Sequence, residues 1–445
     1  MKVRAISVAA AALLAVGVGA GVGVAGPAGA AGAGPPSDIA ATNMPQLATS
    51  GTDGSVEQIR HLAQCGTTMY AVGRFSEVSK AKTVVTRNNA FSFATKNGVI
   101  SSWDPNVNGQ VDTVALSADC STAYLGGTFT SIGGTAVKNI AAVSTATGAV
   151  IPTFAHSASG RVATVAVSGT HLITGGYFKG INNSPKQYLV SLSTTTGRDD
   201  NYLPDMQVAG NLPGNSNATR IYNQQLSHDG TRDLIEGAFT SVSGQPIRQA
   251  FILDLGATPG LSAWKATNFD TDCHPVEPFY AQDGAWSPDD SKVYFGTTGY
   301  IPATGLTIPQ SGPCDAALAF DTTASAQNAL WINYAGCDSL YSVEADASTA
   351  YFAGHERFSS NPNGCDGLGA GGIVAPGIEG LDPAGGSLTY NPTRGRGLGA
   401  DDMLVTSQGL WIASDNQANT NNCGKTPLGK PSYGHAGLCL LPYSS

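Results

Sequence analysis

The chain has 445 residues with a net charge of −9, and only 12% of its residues are charged. Binding to nucleic acid or to anionic lipid requires clustered Lys and Arg residues, and the sequence contains no basic run, so we expect neither partner. Few charges together with 56 glycines favour short strands joined by tight turns over long surface helices.

Residues 1–33 have the pattern of a secretory signal peptide. A basic start precedes an unbroken apolar stretch over residues 5–25, and small residues with A-x-A cleavage sites follow. A membrane anchor is the alternative, because the stretch is nearly long enough to span a bilayer. Its Gly and Ala richness favours cleavage. We therefore expect a secreted protein, extracellular or associated with the cell wall, in which residues 34–43 form a linker.

A repeated pattern fills the rest of the chain, with a period of about 50 to 60 residues. Each copy has a short apolar run, a Gly, a variable residue, Phe and a small polar turn. Four strand-like pieces make up a unit. The clear copies cover residues 69–78, 123–132, 172–181 and 233–242, and the weaker copies cover 293–298, 350–355 and 410–415. Four short strands per unit without a helical period predict a seven-bladed β-propeller, with a β-sandwich as the alternative.

The second unit shows the repeat most fully. Its four strands are expected at residues 111–117, 122–129, 139–144 and 149–155. Its signature residues are Gly126-Gly127-Thr128-Phe129, Asn139-Ile140-Ala141, Thr147-Gly148 and Phe154. These residues resemble the delta-sixty and kelch-like repeats of secreted bacterial β-propellers. The resemblance implies an architecture and no particular activity.

The two ends of the chain are expected to meet in the last blade. That blade has no fourth strand before the C-terminus, whereas residues 44–56 resemble the fourth strand and linker of other units, such as residues 103–111. We therefore predict a domain over residues 44–445 in which residues 46–50 form the outer strand of blade seven. This pairing would close the ring and remove exposed strand edges.

The most unusual side chains occur in the later blades. The predicted ligand-binding residues are His355, Glu356, Arg357, Arg394, Arg396, Asp401, Asp402 and Tyr341. We expect a polar pocket over blades five to seven in which arginine binds a carboxylate or sulfate group bidentately. The alternative is that these arginines pair with nearby aspartates and tie loops together.

Metal and cofactor chemistry has little support in the sequence. Acidic residues begin several predicted inner strands, namely Glu57, Asp112, Asp283 and Asp338. No calcium-binding loop accompanies them, and the 7 histidines show neither H-x-H nor H-E-x-x-H spacing. We expect no cofactor and no metal, with a bound structural calcium ion as the alternative.

Two functional hypotheses follow. The first is a monomeric binding or scaffold protein that recognises an extracellular or cell-envelope polysaccharide, or a surface protein, through exposed aromatic rings. The aromatic candidates are Trp103, Trp264, Tyr280, Tyr300 and Tyr341. The second is a polysaccharide lyase or glycosidase acting on an acidic glycan, with His355, Arg396 and Tyr341 supplying the base and the cation. An enzyme needs these groups in one pocket, whereas a binding protein needs only aromatic surfaces.

The 8 cysteines indicate disulfides, because none forms a C-x-x-C pair and export exposes them to an oxidising compartment. Their positions in the repeat predict the pairing. The expected pairs are Cys65 with Cys120, Cys273 with Cys314, Cys337 with Cys365, and Cys423 with Cys439.

Overall fold

The computed structural model describes residues 34–48, 56–203, 206–212, 218–272, 280–299, 312–417 and 422–444. The expected signal peptide, residues 1–33, lies outside these ranges. The described chain is all-β, and its only helical element is the 3₁₀ turn Thr267–Asp270. None of these ranges contains a helix that is long and apolar enough to cross a membrane.

Seven antiparallel sheets, named I to VII in chain order, contain the main strands. Each is a meander, so consecutive strands are neighbours. Sheet I has Gln58–Cys65, Thr68–Arg74 and Ala90–Ala94; sheet II has Val111–Leu116, Thr122–Gly127 and Ile140–Ser144; sheet III has Val162–Ser168, His171–Gly176 and Leu189–Ser193. Sheet IV has Arg220–Leu226, Arg232–Ala238, Ala250–Asp254 and Gly260–Leu261; sheet V has Tyr280–Trp286, Lys292–Thr298, Ala316–Asp321 and Trp331–Tyr334. Sheet VI has Leu340–Ala345, Ala350–Gly354, Glu379–Leu381 and Leu388–Tyr390; sheet VII has Ala400–Thr406, Gly409–Ser414 and Leu438–Pro442.

Short strands outside these sheets form small ribbons in the connecting segments. A three-stranded ribbon contains Gln46–Leu47, Glu77–Lys80 and Thr83–Thr86. The two-stranded ribbons pair Ser131–Ile132 with Thr135–Ala136, Val208–Ala209 with Ser241–Val242, Lys265–Ala266 with Ala326–Gln327, Phe358–Ser359 with Ile373–Val374, and Asn422–Lys425 with Pro431–Tyr433.

The fourth strand expected in every unit is shorter than predicted in sheets I to III. In sheet II it is a single bridge between Val143 and Val150, instead of a strand over residues 149–155. Pro152 lies two residues after Val150, and a proline cannot donate to a strand ladder. The sequence pattern therefore located the outer edge correctly but overestimated its length.

The first strands of the seven sheets contact one another in succession. The first strand of each sheet contacts the first strand of the next, and the first strand of sheet VII contacts that of sheet I. The buried side chains divide correspondingly into seven clusters, one between each consecutive pair of sheets. Between sheets VII and I, for example, Trp411 packs against Phe93, with ring centroids 5.6 Å apart. The arrangement is propeller-like.

The N-terminal segment joins sheet VII through different residues from those predicted. Ser37 N donates to Pro442 O at 2.7 Å, and Ala41 N donates to Leu440 O at 2.9 Å, so residues 37–41 lie beside the last strand. Of the predicted outer strand at residues 46–50, residues 49–50 lie outside the described ranges and Gln46–Leu47 pairs with Glu77–Lys80. Leu47 N also donates to Ala436 O at 2.9 Å, just before the last strand of sheet VII. The ordered contacts thus begin within residues 34–43, the range expected to be a linker, because Ala40 is buried among the side chains of sheets VI and VII.

We predict that a chain beginning at residue 44 is less stable than a chain beginning at residue 34. The shorter chain loses both backbone hydrogen bonds to sheet VII and exposes the outer edge of its last strand. Urea denaturation of the two purified chains measures the difference, which we expect to reach about 2 kcal/mol. Equal midpoints for the two chains would show that residues 37–41 do not support sheet VII.

Candidate functional site

A β-bulge recurs at one point in the first strand of each sheet. In sheet I, Ile59 is paired with Gly73 and His61 with Val72, so the intervening Arg60 is the extra residue. A bulge turns the extra side chain away from the regular alternation of the strand. The seven bulge residues are Arg60, Asp112, Ala163, Tyr222, Gln282, Tyr341 and Asp401.

A glycine lies opposite the bulge in five of the sheets. A Cβ atom on Gly127 would lie 2.9 Å from the Cα of Val111 and still closer to the carbonyl oxygen of Gln110. The glycine that precedes x-Phe in the repeat therefore makes room for the bulged backbone of the first strand. The five glycines are Gly73, Gly127, Gly176, Gly237 and Gly354.

All seven bulge residues line one pocket, which we call the axial pocket, with a volume of about 270 Å³. The bulges therefore aim one residue of each sheet at the same space. The other lining residues are His61, Arg161, Tyr177, Asn223, Asp283, Leu398 and Asp402. Three residues predicted from the sequence, Tyr341, Asp401 and Asp402, are among the lining residues.

One side of the axial pocket is charged. Arg161 binds Asp112 bidentately, with Nε 2.8 Å from Oδ2 and Nη2 2.7 Å from Oδ1. The Nε atom of Arg60 lies 3.1 Å from the same Oδ1. Asp112 thus holds both guanidinium groups, and paired guanidinium groups are poorly placed to bind a further anion.

The other side is aromatic. The rings of Tyr177 and Tyr222 meet edge to face at 6.3 Å, and Tyr222 meets Tyr280 in the same way at 6.2 Å. The guanidinium carbons of Arg161 and Arg220 lie 5.1 and 5.0 Å from the ring centroid of Tyr177. Tyrosine offers an apolar face together with a polar hydroxyl, which suits a ligand that is itself part apolar and part polar.

Two carboxyl groups at the inner end of the axial pocket also join neighbouring sheets. Asp402 Oδ2 accepts a hydrogen bond from Leu62 N, and Asp283 Oδ2 accepts one from Val343 N, each at 2.7 Å. Burial is the main cause that raises the pKa of each of these carboxyl groups to about 7. Both groups therefore exchange protons near neutral pH.

The described part of the chain brings no three His, Cys, Asp or Glu side chains into a metal-binding arrangement.

A second chamber of about 250 Å³ continues from the inner end of the axial pocket. The two cavities share His61, Asn223, Asp283 and Asp402. Burial lowers the pKa of His61 to about 4, so its imidazole is neutral at neutral pH. The walls of the chamber are mostly apolar and include Leu62, Val167, Leu226, Val343 and Leu404.

Two of the predicted arginines bind one aspartate instead of lining the axial pocket. Arg357 contacts both oxygens of Asp338, at 2.6 and 2.9 Å, and Arg396 Nη2 donates to its Oδ1 at 2.9 Å. Arg396 Nε also donates to the backbone oxygen of His355 at 2.7 Å, so these two residues are neighbours. The arrangement is the alternative set out from the sequence, in which arginines and aspartates tie loops together.

Arg394 and Glu356 are buried away from the axial pocket. Arg394 is only 3% exposed, donates to Gly395 O at 2.6 Å and lies 3.9 Å from Asp415. Burial raises the pKa of Glu356 well above its usual value, because the low-dielectric surroundings disfavour the charged carboxylate. The expected single cluster is thus divided, because ion pairing or burial holds Glu356, Arg357, Arg394 and Arg396 outside the lining of the pocket. His355 is not part of the lining either.

The expected exposed tryptophans are buried. Trp103 is 3% exposed and donates from Nε1 to Ser144 O at 3.0 Å, and Trp264 is 2% exposed and donates to Asp321 O at 2.9 Å. Both therefore fill the core, which corrects the prediction that they form binding surfaces. Tyr300 lies outside the described residues, whereas Tyr341 lines the axial pocket.

Three of the expected disulfides are present. Cys65–Cys120, Cys337–Cys365 and Cys423–Cys439 have Cα separations of 6.1, 4.6 and 6.3 Å. Cys314 is also in a disulfide, and its expected partner Cys273 lies outside the described residues. Three disulfides fit an oxidising compartment.

Fold and site together define an all-β, propeller-like protein with a polar pocket between its first strands. No protein-family model and no curated protein sequence matches the chain. A structure from Bacteroides uniformis that carries the provisional name 6-phosphogluconolactonase is 13% identical, with a TM-score of 0.48, over 87% of this chain and 98% of that one. The WD40 β-propeller domain of Doa1 is 11% identical, with a TM-score of 0.43, over 84% of this chain and 94% of that one.

The ligand-binding residues predicted from the sequence do not include five of the bulge residues, namely Arg60, Asp112, Ala163, Tyr222 and Gln282. A signal for them exists. Each first strand contains an apolar residue, a variable residue and a polar or small residue in succession, as in Ile59-Arg60-His61 and Ile221-Tyr222-Asn223. The variable member is the bulge residue, so aligning these triplets across the repeats identifies the pocket.

We predict that Gly127→Ala lowers the free energy of unfolding by about 1 to 3 kcal/mol, because the new methyl group must displace the bulged backbone. Gly260→Ala is the matched control, since a Cβ there meets nothing within 4 Å. We expect the control to change stability by less than about 0.5 kcal/mol. Urea denaturation measures both variants, and equal effects would contradict a special role for Gly127.

We predict that stability falls as pH rises from about 4 to about 7, through the carboxyl group of Asp402. In that window the folded chain keeps a proton that an unfolded aspartate has lost, so rising pH favours unfolding. Asp402→Asn preserves an oxygen acceptor for Leu62 N and removes the charge. The variant should match the parent near pH 4 and exceed its stability near pH 8.

Urea denaturation across this pH range tests the prediction. Asp366→Asn is the control, because Asp366 is exposed and pairs with Arg357 away from the axial pocket. Parallel stability curves for Asp402→Asn and the parent would exclude the proposed titration.

Proposed function

We propose that this protein is an exported binding protein that recognises an extracellular or cell-envelope polysaccharide through the axial pocket. The observation that carries the proposal is the convergence of seven bulge residues, one from each sheet, on a single space. Its volume of about 270 Å³ is just below the roughly 300–1,000 Å³ that ligand pockets usually span. The pocket would therefore hold one sugar unit, such as a chain end.

The lining supports this ligand class. A sugar ring offers hydroxyl groups on its edge and C–H groups on its faces. Tyr177, Tyr222 and Tyr341 would contact the ring faces, while Gln282 and Asn223 would bind hydroxyl groups. Most of the lining is polar or charged, with three tyrosine rings among these groups, and this composition suits a ligand that is rich in hydroxyl groups.

We further propose that sheets I to VII are the blades of one closed seven-bladed propeller. Contacts of the first strand of sheet VII with that of sheet I support closure, as do the hydrogen bonds of residues 37–41 to the last strand. The pattern of residues 1–33 and the disulfides support a secreted protein that is extracellular or associated with the cell wall.

A glycosidase is the second candidate function. Three carboxyl groups of the axial pocket, Asp283, Asp401 and Asp402, have pKa values raised mainly by burial to between about 6 and 7. Such values suit a general acid, and glycosidases use a pair of carboxyl groups. An acidic glycan is the less favoured substrate, because Arg357, Arg394 and Arg396 are engaged by Asp338 and Asp415.

We predict that Tyr341→Ala weakens glycan binding at least about tenfold, because it removes an aromatic surface from the axial pocket. Tyr433→Ala is the control, since Tyr433 is 65% exposed and outside the pocket. A glycan array identifies the ligand, and calorimetry with the purified chain measures its affinity. New reducing ends in the same samples would indicate the glycosidase. Equal losses of binding in the two variants would contradict the pocket assignment.

A further inference from the structure

We propose that the second chamber is a separate binding site, which takes a small, uncharged and mainly apolar molecule. The molecule would enter at the end of the first strands that lies opposite the axial pocket. The chamber is a different cavity from the proposed glycan site, so this inference does not depend on the proposed function.

The chamber lies farther along the first strands than the axial pocket does. The axial pocket is lined near the beginning of these strands, where the bulges lie, as at Asp401. The chamber is lined by later residues of the same strands, such as Leu404. It is also lined by Ser168 at the end of the first strand of sheet III, and by Gly230 in the turn that follows the first strand of sheet IV. The outer end of the chamber therefore lies beside these turns, away from the bulges.

The surface of the chamber differs from that of the axial pocket. Apolar atoms make up most of its wall, to which Val167, Leu226 and Leu404 contribute, whereas polar atoms make up most of the wall of the axial pocket. Removing apolar surface from water is favourable, so an apolar ligand is preferred here. An apolar cavity of about 150 Å³ is enough to hold benzene. The chamber, with a volume of about 250 Å³, therefore suits a molecule of one ring with a short apolar substituent.

Several polar groups on the wall already have hydrogen bonds within the protein. Gln225 Oε1 accepts a hydrogen bond from Trp286 N at 2.9 Å. At the outer end of the chamber, His228 Nδ1 lies 2.9 Å from Asp290 Oδ1. A ligand rich in hydroxyl groups would lose its hydrogen bonds to water and find these groups already occupied, whereas an apolar ligand loses none.

The charge on the wall also favours an uncharged ligand. No Lys or Arg is among the described residues that line the chamber, so an anion would find no cationic side chain there. Burial is the main cause that raises the pKa of Glu344 to about 8 and that of Asp283 and Asp402 to about 7. Burial also lowers the pKa of His61 to about 4. At about pH 6 these four side chains are therefore mostly uncharged.

The test compares toluene with glycerol on the purified unaltered chain by calorimetry at about pH 6. The two molecules are similar in size, but toluene is apolar and glycerol has a hydroxyl group on every carbon. We expect toluene to bind saturably and at least about tenfold more tightly than glycerol. Glycerol binding as tight as toluene binding, or no saturable binding of toluene, would overturn the inference.

Leu226→Trp provides the variant that fills the chamber, because Leu226 lines it and belongs to none of the clusters of buried side chains. It should weaken toluene binding at least about tenfold. Leu428→Trp is the matched control, since Leu428 is 88% exposed and outside the chamber. Thermal unfolding verifies that each variant folds, and the comparison of toluene with glycerol on the unaltered chain depends on neither variant.

Tyr341→Ala distinguishes the two cavities, because Tyr341 lines the axial pocket and not the chamber. This variant and Leu428→Trp should both keep toluene affinity within about twofold of the parent. A loss of toluene binding in Tyr341→Ala as large as that in Leu226→Trp would place toluene in the axial pocket and overturn the inference. Unchanged toluene binding in a folded Leu226→Trp would overturn it as well.

Discussion

The contact between a glycine and a bulged strand underlies the site of this protein. In five sheets a glycine on the second strand lies where any side chain would meet the backbone of the first strand, as a Cβ on Gly354 would meet Ser339 O at 2.5 Å. That space lets the bulged backbone of the first strand lie close to the second strand. In sheets V and VII the equivalent residues are Thr297 and Ser414, and the bulge is present there as well. The bulge in turn directs one side chain per sheet into the axial pocket. A feature that looks purely structural in the repeat is therefore what positions the candidate ligand-binding residues.

Neighbouring positions of the first strand have separate roles. The residue after the bulge connects adjacent sheets, as Asp402 does through Leu62 N and Asp283 through Val343 N. Packing between sheets adds a second restriction. A Cβ on Gly284, in the first strand of sheet V, would lie 2.5 Å from Oε1 of the buried Glu236 in the second strand of sheet IV. Gly284 therefore leaves room for the Glu236 side chain. The other second strands have a small or apolar residue at the position of Glu236. The bulge residue itself is left out of the strand pairing, and none of the seven bulge residues belongs to a cluster of buried side chains.

The sequence predicted the repeated units, most of their strands and three of the disulfide pairs, because these depend on local pattern and on equivalent positions. It predicted the site less well, because a charged or aromatic side chain that is unusual in the sequence can be bound or buried by other residues and is then not free to bind a ligand. Arg357 and Arg396 stand out in the sequence, yet Asp338 binds both. Trp103 appeared to be a binding surface but fills the core. The pairing of arginines with aspartates depends on the geometry of the loops, which the sequence does not specify. The position of a bulge, in contrast, is indicated by local sequence: a glycine on the second strand, and an apolar, a variable and a polar or small residue in succession on the first strand.

This separation of roles explains how seven similar sheets produce an asymmetric site. Sheets VII, I and II contribute Asp401, Arg60 and Asp112 at the bulge, while sheets IV, V and VI contribute Tyr222, Gln282 and Tyr341. Because the strands behind these residues are equivalent, the difference between a charged side and an aromatic side lies in the bulge side chains. Sheet III contributes only Ala163, and Arg161 and Tyr177 from the same sheet line the pocket there. Ligand preference can therefore change through the bulge positions while the glycines, the core and the hydrogen bonds between sheets stay as they are.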